Sequence, residues 1–352
     1  MEKILNWFRD RYEIDQLIDF AMKKDVPVHK GFIFYYFGGI TLFLFIIQII
    51  TGGLLLLYYK PGAETAFESV QFLITEVKYG WLIRSIHSWS ANLMVFAAFI
   101  HFFSNFFYRS YRKPREMTWL TGMFMFLLAM GFGFSGYLLP WNELAYFATK
   151  VGTDIAGAVP VFGKMIIIFL RGGEEVTGAT LTRFFGFHVA VLPGIFVLFL
   201  AAHLALIQFQ GMSAPPNMED KIEKRMPFFP DFAVRDLAIW LAVLNIVALL
   251  AVFFPWELGV KADSFAPAPA GIRPEWYFLF MFQTLKILPA EILFIEGEIL
   301  GILAFAFAGA VFIFWPFLDR KTLKGDKQTL VPLLGVVSII FIIVMTVLGI
   351  KE

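Results

Sequence analysis

Residues 85–108, SIHSWSANLMVFAAFIHFFSNFFY, and residues 184–210, FFGFHVAVLPGIFVLFLAAHLALIQFQ, decide the fold. Each is long enough to cross a bilayer, which takes about 20 apolar residues as a helix, and each carries two histidines. His87 and His101 are 14 apart, and His188 and His203 are 15 apart. Fourteen residues advance about 21 Å and bring the side chain back to within roughly 40° of its starting direction. One helix therefore presents two imidazoles on one face at two depths, and an antiparallel partner presents two more at matching depths. His87 is expected to meet His188, and His101 to meet His203. The extra residue in the second helix adds about 100° of rotation, which a kink or bulge at Pro193 would absorb. Two imidazoles facing across a gap in lipid suit a low-spin haem, whose iron takes both axial positions. A lone intramembrane histidine would instead read as a helix-to-helix hydrogen-bonder or proton relay; four in matched register favour haem. His29, ahead of the first span, is expected at the surface.

Glycines and arginines near these helices agree with that reading. Gly38 and Gly52 are 14 apart, as are Gly122 and Gly136. A haem edge needs close backbone approach, which a missing Cβ permits, although small residues also serve ordinary helix contacts in membranes. Haem propionates need cations or polar groups at the membrane edge. Arg84 and Arg183 are the candidates beside His87 and His188, and Arg115 is the candidate on the His101 side; each is also placed as a snorkelling anchor would be.

Outward from the two helices, the 352-residue chain is 59% hydrophobic and 18% aromatic, with 44 Phe, a composition suited to lipid rather than water. Seven stretches are long enough to span, at about 32–58, 85–108, 117–138, 184–210, 237–254, 299–317 and 331–350. The expected fold is an all-α polytopic membrane protein. Its first four spans form a haem-binding four-helix bundle (residues 32–210), and three further transmembrane helices follow (211–352). Two shorter apolar pieces, 159–170 and 276–288, read as interfacial segments in long loops. Before the first span, apolar Ile4, Phe8, Ile14, Leu17, Ile18 and Met22 alternate with charges at helical spacing, so residues 1–31 are expected as an amphipathic helix on the cytoplasmic surface.

Lys and Arg number six before the first span and four in each of three alternate loops, which leaves 11 of 29 for the longer loops opposite. The positive-inside rule then sets the N-terminus in the cytoplasm and the C-terminus outside, as in a bacterial-type inner membrane. A net charge of +1 offers nothing to nucleic acid. The start of the chain lacks the pattern of a cleaved signal peptide, so the first span is expected to direct insertion. With no cysteine, disulfides, thiolate metal sites and thioether-attached haem are excluded within the chain.

Arg273-Pro274-Glu275-Trp276-Tyr277-Phe278-Leu279 follows the fifth span. Together with the paired histidines, it resembles the cytochrome b family of quinol-oxidising bc and bf complexes. The resemblance runs along nearly the whole chain and includes Lys113-Pro114-Arg115-Glu116, Tyr137-Leu138-Leu139-Pro140-Trp141 and Thr180-Leu181-Thr182-Arg183-Phe184. The 15-residue histidine interval and the seven spans are similar to the photosynthetic branch, where the two halves are separate proteins; here they are fused. That branch attaches a third haem through a cysteine at the position Tyr36 holds here, so only two non-covalent b haems are expected. Ser88 and Ser104 stand where that branch has arginines. Pro227-Phe228-Phe229-Pro230 followed by Arg235-Asp236 resembles the respiratory branch.

The resemblance implies quinol oxidation at the outer face. One electron would pass to a Rieske-type iron–sulfur protein and on to a c-type cytochrome or equivalent acceptor. The other would cross through the two haems to reduce quinone near the cytoplasmic face, within a homodimeric, lipid-embedded complex that contributes to proton translocation. Glu275, in an apolar setting that raises a carboxyl pKa, is the expected proton acceptor. Tyr137 is expected with it in the catalytic pocket, and Phe134 and Tyr277 as quinone-site walls. Gln208, Arg235 and Asp236, at the cytoplasmic ends of the fourth and fifth spans, are expected to border the second quinone site. Two other readings compete: a simpler dihaem anchor of another quinone-linked dehydrogenase or reductase, and a transporter whose histidines relay protons.

Overall fold

The computed structural model describes residues 2–216, 218, 222, 224–319 and 330–351. In chain order the helices are α1 (Glu2–Arg9), α2 (Ile14–Met22), α3 (Tyr36–Leu56), α4 (Ala66–Thr75), α5 (Gly80–Phe107), α6 (Glu116–Leu138), α7 (Glu143–Gly157), α8 (Gly163–Arg171), α9 (Gly178–Gly186), α10 (Leu192–Gln210), α11 (Ala233–Phe253), α12 (Trp276–Ile287), α13 (Gly297–Ile313), α14 (Trp315–Leu318) and α15 (Leu330–Lys351). A π-helical turn at Phe187–Val191 makes α9 and α10 one continuous rod. Two short antiparallel pairs, β1 (Asp25–Pro27) with β2 (Arg225–Pro227) and β3 (Glu291–Ile292) with β4 (Ile295–Glu296), are the sheets among the described residues.

Six helical stretches of 22 to 33 residues are apolar enough to cross a membrane. In lipid every backbone polar group must be satisfied within its own segment, so such runs settle as helices. Their outer sides are bare and apolar: Leu198 is 72% exposed and Phe253 is 70% exposed. The seventh expected span is shorter. α13 has 17 residues and breaks at Phe314, and α14 follows with Pro316 in its first turn. Proline has no N–H to donate and crowds the carbonyl four residues back. That carbonyl, of Phe312, instead accepts a 2.9 Å hydrogen bond from Trp119 Nε1. The amphipathic start folds as two short helices, α1 and α2, rather than one.

The bundle of α3, α5, α6 and α10 has a solid middle. Leu44, Phe45, Met94, Ala129, Phe196 and Val247 pack there as one buried cluster, which separates a cavity at each end. Over one end lie α7, α8 and α9, fastened by a buried guanidinium. Arg171 donates to Thr153 Oγ1 (2.7 Å), to the carbonyls of Glu174 (2.7 Å) and Lys150 (2.8 Å), and to Asp154 Oδ1 (2.6 Å). The 159–170 segment thus forms α8 within this cap, and 276–288 forms α12, packed on α15 and α13.

Candidate functional site

α5 and α10 with its preceding π turn carry the four histidines, and the pairs form as the spacing requires. His87 and His188 line one cavity, and His101 and His203 line the other. The His87 and His188 ring centres are 6.4 Å apart. An imidazole nitrogen binds a metal at about 2 Å, so two such bonds end to end, with half a ring at either side, account for that separation. Among the described residues, no three or more His, Cys, Asp or Glu gather into a metal cage. The pairs therefore suit an iron that brings its other ligands with it, as haem iron does.

Each ring's Nδ1 is held by a neighbour. Thr51 Oγ1 lies 2.8 Å from His87 Nδ1, Ser135 Oγ 3.0 Å from His188 Nδ1, and Thr121 Oγ1 3.0 Å from His203 Nδ1. All three hydroxyls spend their single proton on a carbonyl of their own helix: Ile47, Phe132 and Met117 or Thr118. They must then accept from Nδ1–H, which leaves the Nε2 lone pair for iron, the orientation that metal-ligating histidines usually gain from a second partner. His101 differs, since its neighbour is Asn105 of the same helix, with Nδ2 3.2 Å from Nδ1. None of these partners was singled out from the sequence. A signal was there: Thr51-Gly52, Thr121-Gly122 and Ser135-Gly136 each set a hydroxyl beside a candidate glycine.

Each of those glycines faces one histidine. A Cβ on Gly38 would lie 2.9 Å from His101 Cε1, on Gly52 3.3 Å from His87 Cε1, on Gly122 3.2 Å from His203 Cε1 and on Gly136 2.6 Å from His188 Cε1. The close approach is thus made by the imidazoles, which sit where side chains would otherwise stand. The extra residue between His188 and His203 is taken up by the π turn at Phe187–Val191, just before Pro193. A π turn inserts one residue into a helix and so cancels the additional rotation.

The cavity at His87 and His188 measures about 460 Å³ against about 170 Å³ for the other. It is larger because it continues to Tyr137, Glu275 and Tyr277. Glu275 stands at the N-terminus of α12 but makes no capping hydrogen bond, and burial raises its carboxyl pKa above the ordinary value. Tyr277 is 5% exposed, and its hydroxyl sits against Gly133, where a Cβ would collide with it. Burial, then Glu275 and Tyr137, push the Tyr277 phenol well above its usual pKa. Phe134 lies behind this wall, with its ring 6.2 Å from Phe278 and 5.6 Å from Phe184.

The charged candidates divide. Arg84 lines the cavity, but its terminal nitrogens donate to the carbonyls of Trp256 (2.6 Å) and Glu257 (3.1 Å). It joins α5 to the irregular segment that follows α11. Arg183 is exposed, donates to the Phe169 carbonyl at 3.0 Å and is not brought to the cavity. Arg115 does line the cavity at His101 and His203, and it holds the Gln210 carbonyl at 3.0 Å. Gln208 points away, to the Phe20 carbonyl of α2 at 2.7 Å, and Arg235 is exposed. Asp236 sits across α3 from the His101 cavity: Gly38 faces His101, while a Cβ on Gly39 would strike the Asp236 carboxylate. Tyr36 Oη, Asp236 Oδ1 and Trp240 Nε1 are buried there without hydrogen-bond partners among the described residues, and the Tyr36 ring stacks on Phe232 at 4.4 Å. His29 is half-buried rather than on the open surface. Its Nε2 lies 2.8 Å from Tyr35 Oη and its ring packs on Tyr108, and burial lowers its pKa.

Comparisons with known proteins agree with this geometry. Residues 23–211 match the family described as cytochrome b/b6/petB, and residues 261–351 match cytochrome b(C-terminal)/b6/petD. The chain is 48% identical, over 98% of its length and 80% of the relative's, to a "Cytochrome bc complex cytochrome b subunit" of Chlorobaculum thiosulfatiphilum. It is 45% identical to the "Cytochrome b6" of Gloeobacter violaceus, over 61% of this chain and 100% of that one. A solved chain titled "Hyperthermophilic respiratory Complex III" superimposes with a TM-score of 0.84 at 30% identity, covering 98% of this chain and 91% of the other.

Proposed function

This chain belongs to the cytochrome b family of haem-binding membrane proteins, and from that premise we propose that it oxidises quinol at its outer face and reduces quinone near its cytoplasmic face. It is the cytochrome b subunit of a bc- or b6f-type complex. In the proposed cycle one quinol electron passes to a Rieske-type iron–sulfur partner and on to a c-type cytochrome or equivalent acceptor. Two non-covalent b haems, held by His87 with His188 and by His101 with His203, would supply the one-electron path for the other. The complex is proposed as a homodimer in an energy-transducing membrane, with the N-terminus cytoplasmic.

The chain's own side chains manage protons, water and position. Quinol gives up two protons with its two electrons, so the outer site needs a base. Glu275 suits the task because its carboxyl is uncommitted and its raised pKa lies nearer the working pH, where a general base acts best. Tyr137, Tyr277 and Phe134 limit the water around it. One observation carries the reading: a single cavity joins the His87–His188 pair to Glu275 and Tyr277. A plain dihaem anchor has no use for that junction.

Acid-acetone extraction of the purified complex is expected to strip all haem from this chain, because it has no cysteine to form a thioether. A haem-staining band remaining at its mass on a denaturing gel would contradict this. On the cytoplasmic side, Asp236 is proposed to hydrogen-bond and protonate quinone, since its Oδ1 is buried with no hydrogen-bond partner among the described residues. Asp236→Asn is expected to slow re-oxidation of the cytoplasmic-side haem by quinone in flash or stopped-flow traces; unchanged kinetics would remove the assignment.

A further inference from the structure

α5 uses two opposite faces. Ser85, Trp89 and Asn92 recur at four- and three-residue steps and lie roughly opposite His87 around the helix. This stripe, with Arg84 beside it, is given to the segment between α11 and α12. Ser85 Oγ bonds the Ala251 carbonyl and accepts from Trp256 N–H, each at 3.2 Å. Trp89 Nε1 donates to the Phe254 carbonyl at 2.8 Å. At the end of the stripe, Trp276 Nε1 donates to Asn92 Oδ1 at 2.8 Å. The Asn92 amide group in turn donates to the Ser88 carbonyl at 3.0 Å, which fixes its oxygen towards the indole. The Trp276 ring is held between Phe96 and Phe99, at 6.3 and 6.2 Å.

We infer that Asn92 and Trp276 form a latch that sets Glu275 at a fixed place relative to His87, making both positioning residues for quinol oxidation. Trp276 directly follows Glu275, and Asn92 is five residues beyond His87 on the same rigid helix. The hydrogen bond therefore ties the proton-accepting loop to the histidine pair nearest to it across one helix width. Apart from Trp276, the groups that the stripe bonds across this contact are backbone groups, which any sequence supplies. The Trp276–Asn92 bond alone joins two side chains, so it alone depends on both residue types. Its consequence is geometric: a displacement of about 1 Å at a reacting group costs up to about 10²-fold in rate.

The inference rests on Glu275 being the base, and a double-mutant cycle in the intact complex separates the two claims. Asn92→Leu and Trp276→Phe are each expected to lower quinol oxidation about tenfold with haem content unchanged, and the double variant to be no worse than either. Release of the loop admits water to Glu275 and lowers its raised pKa, so the acid limb of the rate profile moves to lower pH. The other titratable groups at this cavity, Tyr59, Arg84, His87, Tyr137, His188 and Tyr277, are unaltered in these variants. If Asn92→Leu loses haem, Trp276→Phe, which keeps the ring packing, decides the matter. Additive losses, or a rate that ignores both residues while still depending on Glu275, overturn the latch alone. A rate indifferent to Glu275→Gln overturns the base and the latch together.

Discussion

Replacing His203 by leucine is expected to remove the haem proposed on the Arg115 side and to leave the one proposed between His87 and His188. Leucine fills much of the imidazole's volume but has no nitrogen, so one ligand that would hold the haem is lost while the helix contact survives. The second site is insulated from the change. The buried cluster around Leu44, Phe45, Met94 and Phe196 stands between the two cavities. The ring partners are separate as well, Thr121 for His203 and Thr51 and Ser135 for the other pair. Redox-resolved difference spectra of the purified complex are expected to show one b-type component in place of two. Loss of both with the complex intact, or of neither, would mean that the pairing is wrong.

Glu275→Gln is expected to cut quinol-dependent turnover by about 10²-fold, the lower end of what a positioned general base contributes, and by less where water substitutes. Glutamine keeps the shape and the cavity wall but cannot take up the proton as a carboxylate does. Haem content is expected to be unchanged, because Glu275 makes no capping hydrogen bond to α12. The pH profile carries the sign. Burial raises the Glu275 pKa, so its base form is lost as pH falls through a value above the ordinary carboxylate range. The wild-type rate should therefore decline on its acid side earlier than an exposed glutamate would dictate, and the Gln variant should lack that limb. Wild-type rates in the variant across pH would show that Glu275 is not the base.

Much of the molecule was open to reading because lipid leaves the chain few choices. A span must satisfy its own backbone, so hydropathy alone located the helices. Helical periodicity then put His87 with His101, and His188 with His203, on shared faces. The exception was the region around Phe314, where Pro316 interrupts the seventh apolar run and shortens α13. The π turn at Phe187–Val191 was implied by the 15-residue interval, although its place relative to Pro193 was not. Gly38, Gly52, Gly122 and Gly136 were found by spacing, and the structure sets one imidazole against each of them.

What the sequence determined by itself is therefore what depends on one helix at a time: which segments enter the membrane, which face of each carries histidine, and at what depth. Only the tertiary structure decided the partners that come from elsewhere in the chain. It set Arg84, on the wall of the His87 cavity, against the carbonyls of Trp256 and Glu257, and turned Arg183 and Gln208 away from the cavities. It also brought Glu275 into the His87 cavity and Trp276 onto Asn92. Those residues are separated by more than 150 positions, and no periodicity links them. A side chain's periodic face is written in its neighbours along the helix, whereas the group that takes up its hydrogen bond is fixed by how helices pack.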